Sequence, residues 1–246
     1  MDLIIDIGNS RIKVASFDKG TIQSKNYCSD NELLGLLVCL FSAKKTIDKV
    51  LVSSVREFNF ELDNYLNSQC KKAYYLSNDL SIPLQIVYKS PQSLGPDRIA
   101  LAVGASKLHP KQDVLAIDAG TCITYDFVSA AGLYLGGGIS PGLQMRFKAL
   151  SEFTDKLPLV DFHEEADLIG VDTESSIRSG VVNGMLKEMD GIIEAYKKRY
   201  PSLKVLLTGG DCDFFDKKLK NSIFADADLL LKGMHYILEH HAKIDS

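Results

Sequence analysis

The first apolar stretches of the chain have the pattern of paired β-strands. Residues 3–7 (LIIDI) and 12–17 (IKVASF) are separated by a Gly-Asn-Ser triplet at 8–10, which is typical of a tight turn. Residues 21–27 (TIQSKNY) continue the alternation of polar and apolar positions. The pattern predicts two strands that turn straight back on each other, followed by a third.

The same pattern returns in the middle of the chain. Residues 114–132 (VLAIDAGTCITYDFVSAAG) can be laid over residues 2–20 (DLIIDIGNSRIKVASFDKG) without a gap, at a constant offset of 112 positions (118 − 6). This alignment places Asp6 on Asp118. Because self-similarity at a fixed offset is the signature of a repeated structural unit, the chain is predicted to have two similar halves.

Between and after these hairpins, the spacing of apolar residues predicts helices and further strands. The predicted elements are a helix over 30–44 capped by Asp30, a strand over 49–55, a helix over 96–109 that begins at Pro96, a helix over 140–153 with Ser140 as its cap and Pro141 in its first turn, a long helix over 173–199, a strand over 204–210 and a helix over 226–241. Residues 33–41 (LLGLLVCLF) are too few to span a bilayer, which takes about 20 apolar residues, and are predicted to form a buried helix. The alternation indicates a mixed α/β protein.

Composition narrows the class of protein. The chain is 46% hydrophobic and 24% charged with a net charge of −4, so its charge gives no reason to expect nucleic acid or a membrane as partner. Met1 leads directly into the first predicted strand, and we therefore expect no targeting segment and a cytoplasmic location. The five cysteines are widely spread without a C-x-x-C pair, which favours reduced thiols, and His240 and His241 lack a third metal ligand nearby and are predicted to lie on the solvated surface.

The repeated turn has the chemistry of a phosphate site. A strand that ends in Asp-x-Gly and a short polar residue exposes backbone N–H groups that can surround an anion, and the carboxylate can hold the Mg²⁺ that accompanies a phosphate. Two such hairpins could bind a nucleoside triphosphate, with Lys13 adding a positive charge. Asp-Gly pairs are also good hairpin turns without any ligand, but two copies in matched context favour binding.

Several nucleotide-binding motifs do not occur in the sequence. It contains no G-x-x-x-x-G-K-[ST], no G-x-G-x-x-G and no H-R-D or D-F-G set. P-loop kinases, the simplest dinucleotide-binding proteins and protein kinases are therefore excluded.

Five motifs in order resemble those of the type III pantothenate kinases. They are DIGNSRIK at 6–13, GPDR at 95–98, DAGTCITYD at 118–126, GGGISPG at 136–142 and TGGD at 208–211. That family belongs to the acetate and sugar kinase, Hsp70 and actin superfamily. The resemblance implies an α/β fold of two duplicated ribonuclease-H-like lobes (actin-like ATPase lobes) with mixed sheets flanked by helices, here residues 1–110 and 111–246.

The resemblance also implies the residues that bind ATP and cations. The ATP-binding residues would be Asp6, Ile7, Gly8, Asn9, Ser10, Arg11, Ile12, Lys13 and Thr121. Asp6 would lie near Mg²⁺, and Asp118 would ligate a monovalent cation, K⁺ or NH₄⁺. Gly209 and Gly210 would let the nucleotide approach the second lobe closely.

For the second substrate, the resemblance implies that Asp97 is the general base. The pantothenate-binding residues would be Tyr88, Gly95, Pro96, Asp97, Arg98 and Thr173. From the residues alone, Asp97 could instead complement a helix dipole, Arg98 could be a surface ion-pair partner, and Thr173 could be part of a helix cap. Tyr88 alone could be an ordinary core or surface aromatic residue. Two small departures from the family pattern are Ser10, where threonine is common, and Cys122, where alanine is usual and which is predicted to be a small buried residue.

The expected reaction is the ATP-dependent phosphorylation of pantothenate to 4′-phosphopantothenate, the first step toward coenzyme A. The resemblance further implies a homodimer with the pantothenate site at the subunit interface. Two alternatives remain at this point: another small-molecule kinase of the same superfamily, or an accessory regulator of transcription that binds nucleotide without turning it over. Asp6, Asp97 and Asp118 together argue against the second, since a pure binding module would not need all three.

Overall fold

A computed structural model describes residues 1–43, 47–56, 60–77 and 80–245 of the chain. In chain order its elements are β1 (Asp2–Ile7), β2 (Ile12–Asp18), β3 (Thr21–Cys28), α1 (Asp30–Ser42), β4 (Lys49–Ser54), α2 (Phe60–Gln69), β5 (Lys72–Tyr75), β6 (Gln85–Ile86), α3 (Pro96–Leu108), β7 (Val114–Ala119), β8 (Cys122–Val128), β9 (Leu133–Pro141), α4 (Leu143–Glu152), α5 (Thr173–Arg199), β10 (Lys204–Thr208), α6 (Cys212–Lys218), β11 (Phe224–Ala225) and α7 (Leu229–Ile244). A single 3₁₀ turn, Pro91–Ser93, precedes α3.

The chain divides into two compact units. The first comprises Met1–Leu108 together with Asp228–Ser246, and the second His109–Ala227. The C-terminal helix α7 thus packs with the first unit, where Gly104 of α3 and Gly233 of α7 let the two helices come so close that a Cβ on either glycine would overlap the other helix's backbone. The predicted division of the chain into lobes 1–110 and 111–246 stays a prediction.

The two units repeat one sheet topology. In the first, the strand order is β3-β2-β1-β4-β5, with β1–β2 and β2–β3 antiparallel and β1–β4 and β4–β5 parallel. In the second, β9-β8-β7-β10-β11 has the same order and the same directions. Since the βαβ crossovers put helices against these mixed sheets, the predicted fold of duplicated ribonuclease-H-like lobes is confirmed.

The gap-free alignment of the two hairpins holds only for their first strands. Asp6 and Asp118 are each the second-to-last residue of their strand. The return strand differs, because Asp6 pairs with Lys13 whereas Asp118 pairs with Thr124, one position earlier than the offset of 112 would give. The second turn is therefore one residue shorter than the first.

Each unit has its own apolar core. In the first, β1, β2 and β4 pack on α1 and α2 through residues such as Leu37 and Leu66, both fully buried. In the second, β7, β8 and β10 pack on α4, α5 and α6 through Phe147, Met185 and Phe215. The long helix α5 has the predicted bounds, and its Asp172 cap accepts a hydrogen bond from Ser175 N.

Two predicted helix caps are wrong. Helix α1 is capped by Ser29 rather than Asp30, because Ser29 and Glu32 form a reciprocal capping box. Helix α4 starts at Leu143 with Gly142 as its cap, while Ser140 and Pro141 still belong to β9. The chain stays extended there because Ser140 pairs with β8 and its hydroxyl accepts a hydrogen bond from Arg146 Nη2 at 2.8 Å.

Other details of the predicted helices also change. The segment 33–41 is buried on one face only, since Leu33 and Leu37 are buried and Leu34 and Val38 are exposed. The predicted end of this helix at residue 44 lies outside the described residues, and α1 ends at Ser42. No helix in the described part of the chain is long and apolar enough to cross a bilayer.

The structure shows the state of the five cysteines and the contacts of the two C-terminal histidines. All five cysteines are free, as predicted. Cys122 is half-buried rather than buried. His240 and His241 do not simply face solvent, because His241 Nδ1 accepts a hydrogen bond from Ser81 N at 3.2 Å and His240 Nε2 lies 3.4 Å from Ser81 Oγ.

Candidate active site

The first turn, residues 8–11, is a short closed loop with an exposed tip. Gly8 N donates to Arg11 O at 3.3 Å, which closes the turn, and residues 9–11 are exposed. The guanidinium of Arg11 lies 4.7 Å from the centre of the Tyr27 ring. The tip therefore presents backbone N–H groups and two short polar side chains to solvent, which is the arrangement needed for an anion.

Asp6 lies directly beneath this turn and is almost fully buried, with 3% of its surface exposed. Burial raises the pKa of its carboxyl to about 6; nearby Lys13 lowers it and Asp97 raises it further. Lys13 Nζ lies 3.6 Å from Asp6 Oδ2. Ser53 is in register with Asp6 on β4, and its buried hydroxyl has no hydrogen-bond partner among the described residues. The carboxylate is thus desolvated and only partly compensated.

Asp97 lies at the N-terminus of α3. Pro96 occupies the first position of that helix, where its missing N–H costs nothing, and Asp97 is favoured there by the helix dipole. Arg98 N donates to Asp97 Oδ1 at 2.9 Å, and a Cβ on Gly95 would overlap the same oxygen. Gly95 and the helix start therefore fix the Asp97 side chain, while Arg98 is buried beside it.

Within the first unit, the structure brings together the predicted residues Asp6, Lys13 and Asp97. Tyr88 is half-buried in the segment between β6 and the 3₁₀ turn. The described residues contain no cluster of three or more His, Cys, Asp or Glu side chains that could hold a metal ion. A pair of carboxylates next to a phosphate turn is what Mg²⁺ uses when substrate phosphates supply its other ligands, so Asp6 and its surroundings fit that ion.

The second turn, residues 120–122, is shaped by close glycine contacts. Gly120 N donates to Cys122 O at 3.0 Å, and Thr121 at the tip is exposed. Gly142 N donates to Thr121 O at 3.2 Å, and a Cβ at Gly142 would overlap the carbonyl oxygens of Gly120 and Thr121. The N-terminus of α4 thus packs against this turn through Gly142.

Asp118 lies next to the second turn and to the end of β10. It is half-buried, and the α-carbon of Gly209 is so close that a Cβ there would overlap Asp118 Oδ1 and the carbonyl oxygen of Ala119. Asp211 N donates to the same Ala119 carbonyl at 2.9 Å. Gly209 therefore brings backbone into contact with the Asp118 carboxylate, which is the charged group beside this turn that could hold a cation.

Thr173 is the first residue of α5 and is exposed. It lies on the wall of an apolar pocket of about 920 Å³ between α4 and α5, together with Arg146, Leu150, Phe153 and Ile177. The nearby segment exposes Leu168, Ile169 and Val171, the last to 90%. Exposed apolar patches of this kind mark interaction surfaces.

Sequence reasoning missed residues that support the turns from a distance. Arg56 binds the first turn through the carbonyl of Asn9. Arg146 donates to Glu188 Oε2 at 2.6 Å and to Pro141 O at 2.9 Å, and so fixes the approach to Gly142. Both arginines act through partners distant in sequence, and no local pattern marks them. Gly142 could have been found, since the sequence has a glycine immediately before an apolar helical pattern.

Comparison of the sequence with known families and curated proteins gives one family. A family model described as type III pantothenate kinase matches residues 2–195. A type III pantothenate kinase of Phocaeicola vulgatus is 47% identical over 248 residues, covering 99% of this chain and 100% of the relative, and one of Cytophaga hutchinsonii is 41% identical over 98% of this chain and 100% of the relative.

Solved structures with a similar backbone show the fold. A Campylobacter jejuni protein described as a Baf family transcriptional activator matches with a TM-score of 0.63 and 24% identity over 98% of this chain and 99% of its own. The polyphosphate/ATP-glucomannokinase of an Arthrobacter strain matches with a TM-score of 0.52 and 14% identity over 98% of this chain and 100% of its own.

Proposed function

Since the chain belongs to the type III pantothenate kinase family, it is a phosphotransferase that uses ATP to convert pantothenate to 4′-phosphopantothenate, and we propose that Asp6, Asp97 and Asp118 are central to this reaction. The observation that carries the proposal is the pair of strand–Asp–x–Gly turns at equivalent places in two sheets of the same topology. Each turn exposes backbone donors next to a carboxylate, the combination that a nucleotide with its cation requires.

ATP is bound by residues 6–13 and by Thr121. The backbone N–H groups of the first turn suit phosphate oxygens, and the exposed tip is accessible to them. Lys13 adds a point charge, and its ion pair with Asp6 is long at 3.6 Å. Gly209 and Gly210 admit the nucleotide at the second turn.

We propose a separate binding site for each of the two cations. Asp6 is proposed to hold Mg²⁺, whose charge would offset the desolvation that raises the pKa of this carboxyl to about 6. Asp118 is proposed to hold K⁺ or NH₄⁺. When bound, Mg²⁺ neutralises charge on the transferring phosphate.

Asp97 is the proposed general base. One carboxylate oxygen, Oδ1, accepts the hydrogen bond from Arg98 N, and Oδ2 can then accept the proton of the primary hydroxyl of pantothenate. As the proton leaves, the hydroxyl oxygen forms a bond to the γ-phosphorus, the bond from that phosphorus to the bridging oxygen breaks, and ADP leaves with the electron pair. Phosphoryl transfer needs an oriented acceptor more than a strong base.

Pantothenate is proposed to bind through Tyr88, Thr173 and residues 95–98. The guanidinium of Arg98 suits the carboxylate of pantothenate because its planar fork matches two oxygens. A homodimer is proposed as well, supported by the exposed apolar residues Leu168, Ile169 and Val171. We place the reaction in the cytoplasm, where ATP is available.

The test is ADP release coupled to a spectroscopic readout, with ATP, Mg²⁺ and pantothenate, in K⁺ and in Na⁺. We expect pantothenate-dependent turnover that is faster in K⁺ and that falls at least about a hundredfold in Asp97→Asn, the usual worth of a general base. Asp18→Asn, an exposed aspartate at the end of β2, is the control. Equal turnover with and without pantothenate would refute the proposal.

A further inference from the structure

Arg56 makes a fixed set of contacts beside the first turn. Its Nη2 donates to the backbone carbonyl of Asn9 at 2.7 Å. Its Nη1 donates to both carboxylate oxygens of Asp30, at 2.7 Å and 3.0 Å. Arg56 follows β4 and Asp30 begins α1, so one guanidinium joins the turn to two separate elements of the first unit.

The contact with Asn9 controls the direction of a peptide group. In a trans peptide the C=O of one residue and the N–H of the next point to opposite sides. Because Arg56 holds the Asn9 carbonyl, the N–H of Ser10 points away from Arg56. At an exposed tip such as this one, rotation of that peptide would turn a carbonyl dipole toward a bound anion and weaken binding.

The positive charge of Arg56 is balanced by an ion pair within the first unit. Asp30 neutralises it through the short ion pair, and Asp30 is itself favoured at the N-terminus of α1. Such a neutralised guanidinium adds little field at a phosphate, whereas its rigid planar fork is well suited to hold two partners in fixed directions. The geometry therefore favours positioning over direct contact with phosphate.

We propose that Arg56, held by Asp30, is a positioning residue that fixes the Asn9–Ser10 peptide so that the first turn offers its N–H groups to the phosphates of ATP. This inference rests on the proposed binding of ATP by residues 6–13. It predicts an effect on the nucleotide and little effect on pantothenate.

The experiment measures binding of a non-hydrolysable ATP analogue with Mg²⁺ by calorimetry, together with KM for ATP, KM for pantothenate and kcat. The variants are Arg56→Ala, Arg56→Lys and Asp30→Asn. The control is Lys25→Ala, which removes a cation of similar exposure from the same unit by breaking its 2.7 Å ion pair with Asp228.

We expect Arg56→Ala to weaken analogue binding and to raise KM for ATP about tenfold, the worth of one charge-assisted hydrogen bond, with KM for pantothenate unchanged. Arg56→Lys keeps the positive charge but not the planar guanidinium, and it should lose part of the affinity for ATP. Asp30→Asn should weaken ATP binding in the same direction, because it releases the guanidinium. Lys25→Ala should match the wild type.

Three results would overturn the positioning role. They are wild-type ATP affinity in Arg56→Ala, tighter binding in Asp30→Asn, which would mean that Arg56 contacts phosphate itself, or an equal loss in Lys25→Ala. If Arg56→Ala does not fold, the other two variants still decide. Failure of the wild type to bind the analogue would instead refute the proposed ATP site and this inference with it, so the two failures are distinguishable.

Discussion

The α-carbon of Gly209 packs directly against the carboxylate of Asp118, so that a side chain of even one carbon at Gly209 would overlap Asp118 Oδ1. Gly209 also has φ +101, a region that other residues rarely adopt. We predict that Gly209→Ala displaces Asp118 and abolishes the proposed activation by K⁺. Initial rates in K⁺ and in Na⁺ measure this effect.

Gly132 provides the matched control. It also has positive φ, +76, but no atom lies within 4 Å of the position of its Cβ. Gly132→Ala should therefore cost only backbone strain, about 1–2 kcal/mol, with K⁺ activation intact. Equal K⁺ activation in both variants would show that the contact between Gly209 and Asp118 is unimportant.

The thiols differ in reactivity because of their surroundings. Burial, and then the neighbouring aspartates Asp213 and Asp216, raise the pKa of Cys212 to about 11, whereas Cys39 is exposed on α1. Only the thiolate reacts with alkylating agents. At pH 8 iodoacetamide should modify Cys39 and leave Cys212 unmodified in the folded protein, as read by peptide mass spectrometry. Comparable labelling of both without denaturant would contradict this expectation, and denatured protein serves as the control.

The fold was predictable because its pattern is local and repeated. The strands that contain Asp6 and Asp118 follow from short apolar runs, and α5 follows from apolar residues at helical spacing. The duplication is visible as a repeat in the sequence. Helices α2 and α6 were not predicted. Their apolar patterns are short, and α2 buries only Leu62 and Leu66.

The sequence predicted the two turns that carry the candidate site, but not the side chains that support these turns from distant parts of the chain. Arg56 contacts Asn9 and Asp30, which are 47 and 26 positions away in sequence. Glycine is among the accepted helix caps, but the choice of Gly142 over Ser140 depends on its contacts with Gly120 and Thr121, which are distant in sequence. Contacts between residues distant in sequence therefore determine the position of Arg56 and the start of α4.

We predict that the exposed apolar segment before α5 forms the interface of the proposed homodimer. Ile169 is 79% and Val171 90% exposed in a single chain. Because burial of such side chains drives association, Ile169→Glu and Val171→Glu together should convert a dimer of twice 27.1 kDa into monomers of 27.1 kDa in light scattering. Phe60→Glu, an equally exposed apolar residue of the first unit at 77%, should leave the dimer intact. A wild-type monomer, or a double variant that remains dimeric, would contradict the proposed interface.

Burial of the Asp6 carboxylate is expected to lower the free energy of unfolding. Its pKa is about 6 in the folded, cation-free protein and 3.8 without burial, so between these values the folded state holds more protons than the unfolded state. The free energy of unfolding therefore falls as pH rises from about 4 to about 6, and the penalty is complete above that range, at most about 3 kcal/mol for two pKa units.

Asp6→Asn removes this penalty. The variant should be more stable than the wild type at pH 7–8, should lose the decrease in stability between pH 4 and pH 6, and should be inactive, because the carboxylate proposed to hold Mg²⁺ is gone. Urea unfolding across this pH range in EDTA measures the difference, and Asp18→Asn, exposed on β2, controls for the loss of one charge. An Asp6→Asn variant that is less stable than the wild type at pH 8 would show that the ion pair with Lys13 outweighs the cost of burying the carboxylate.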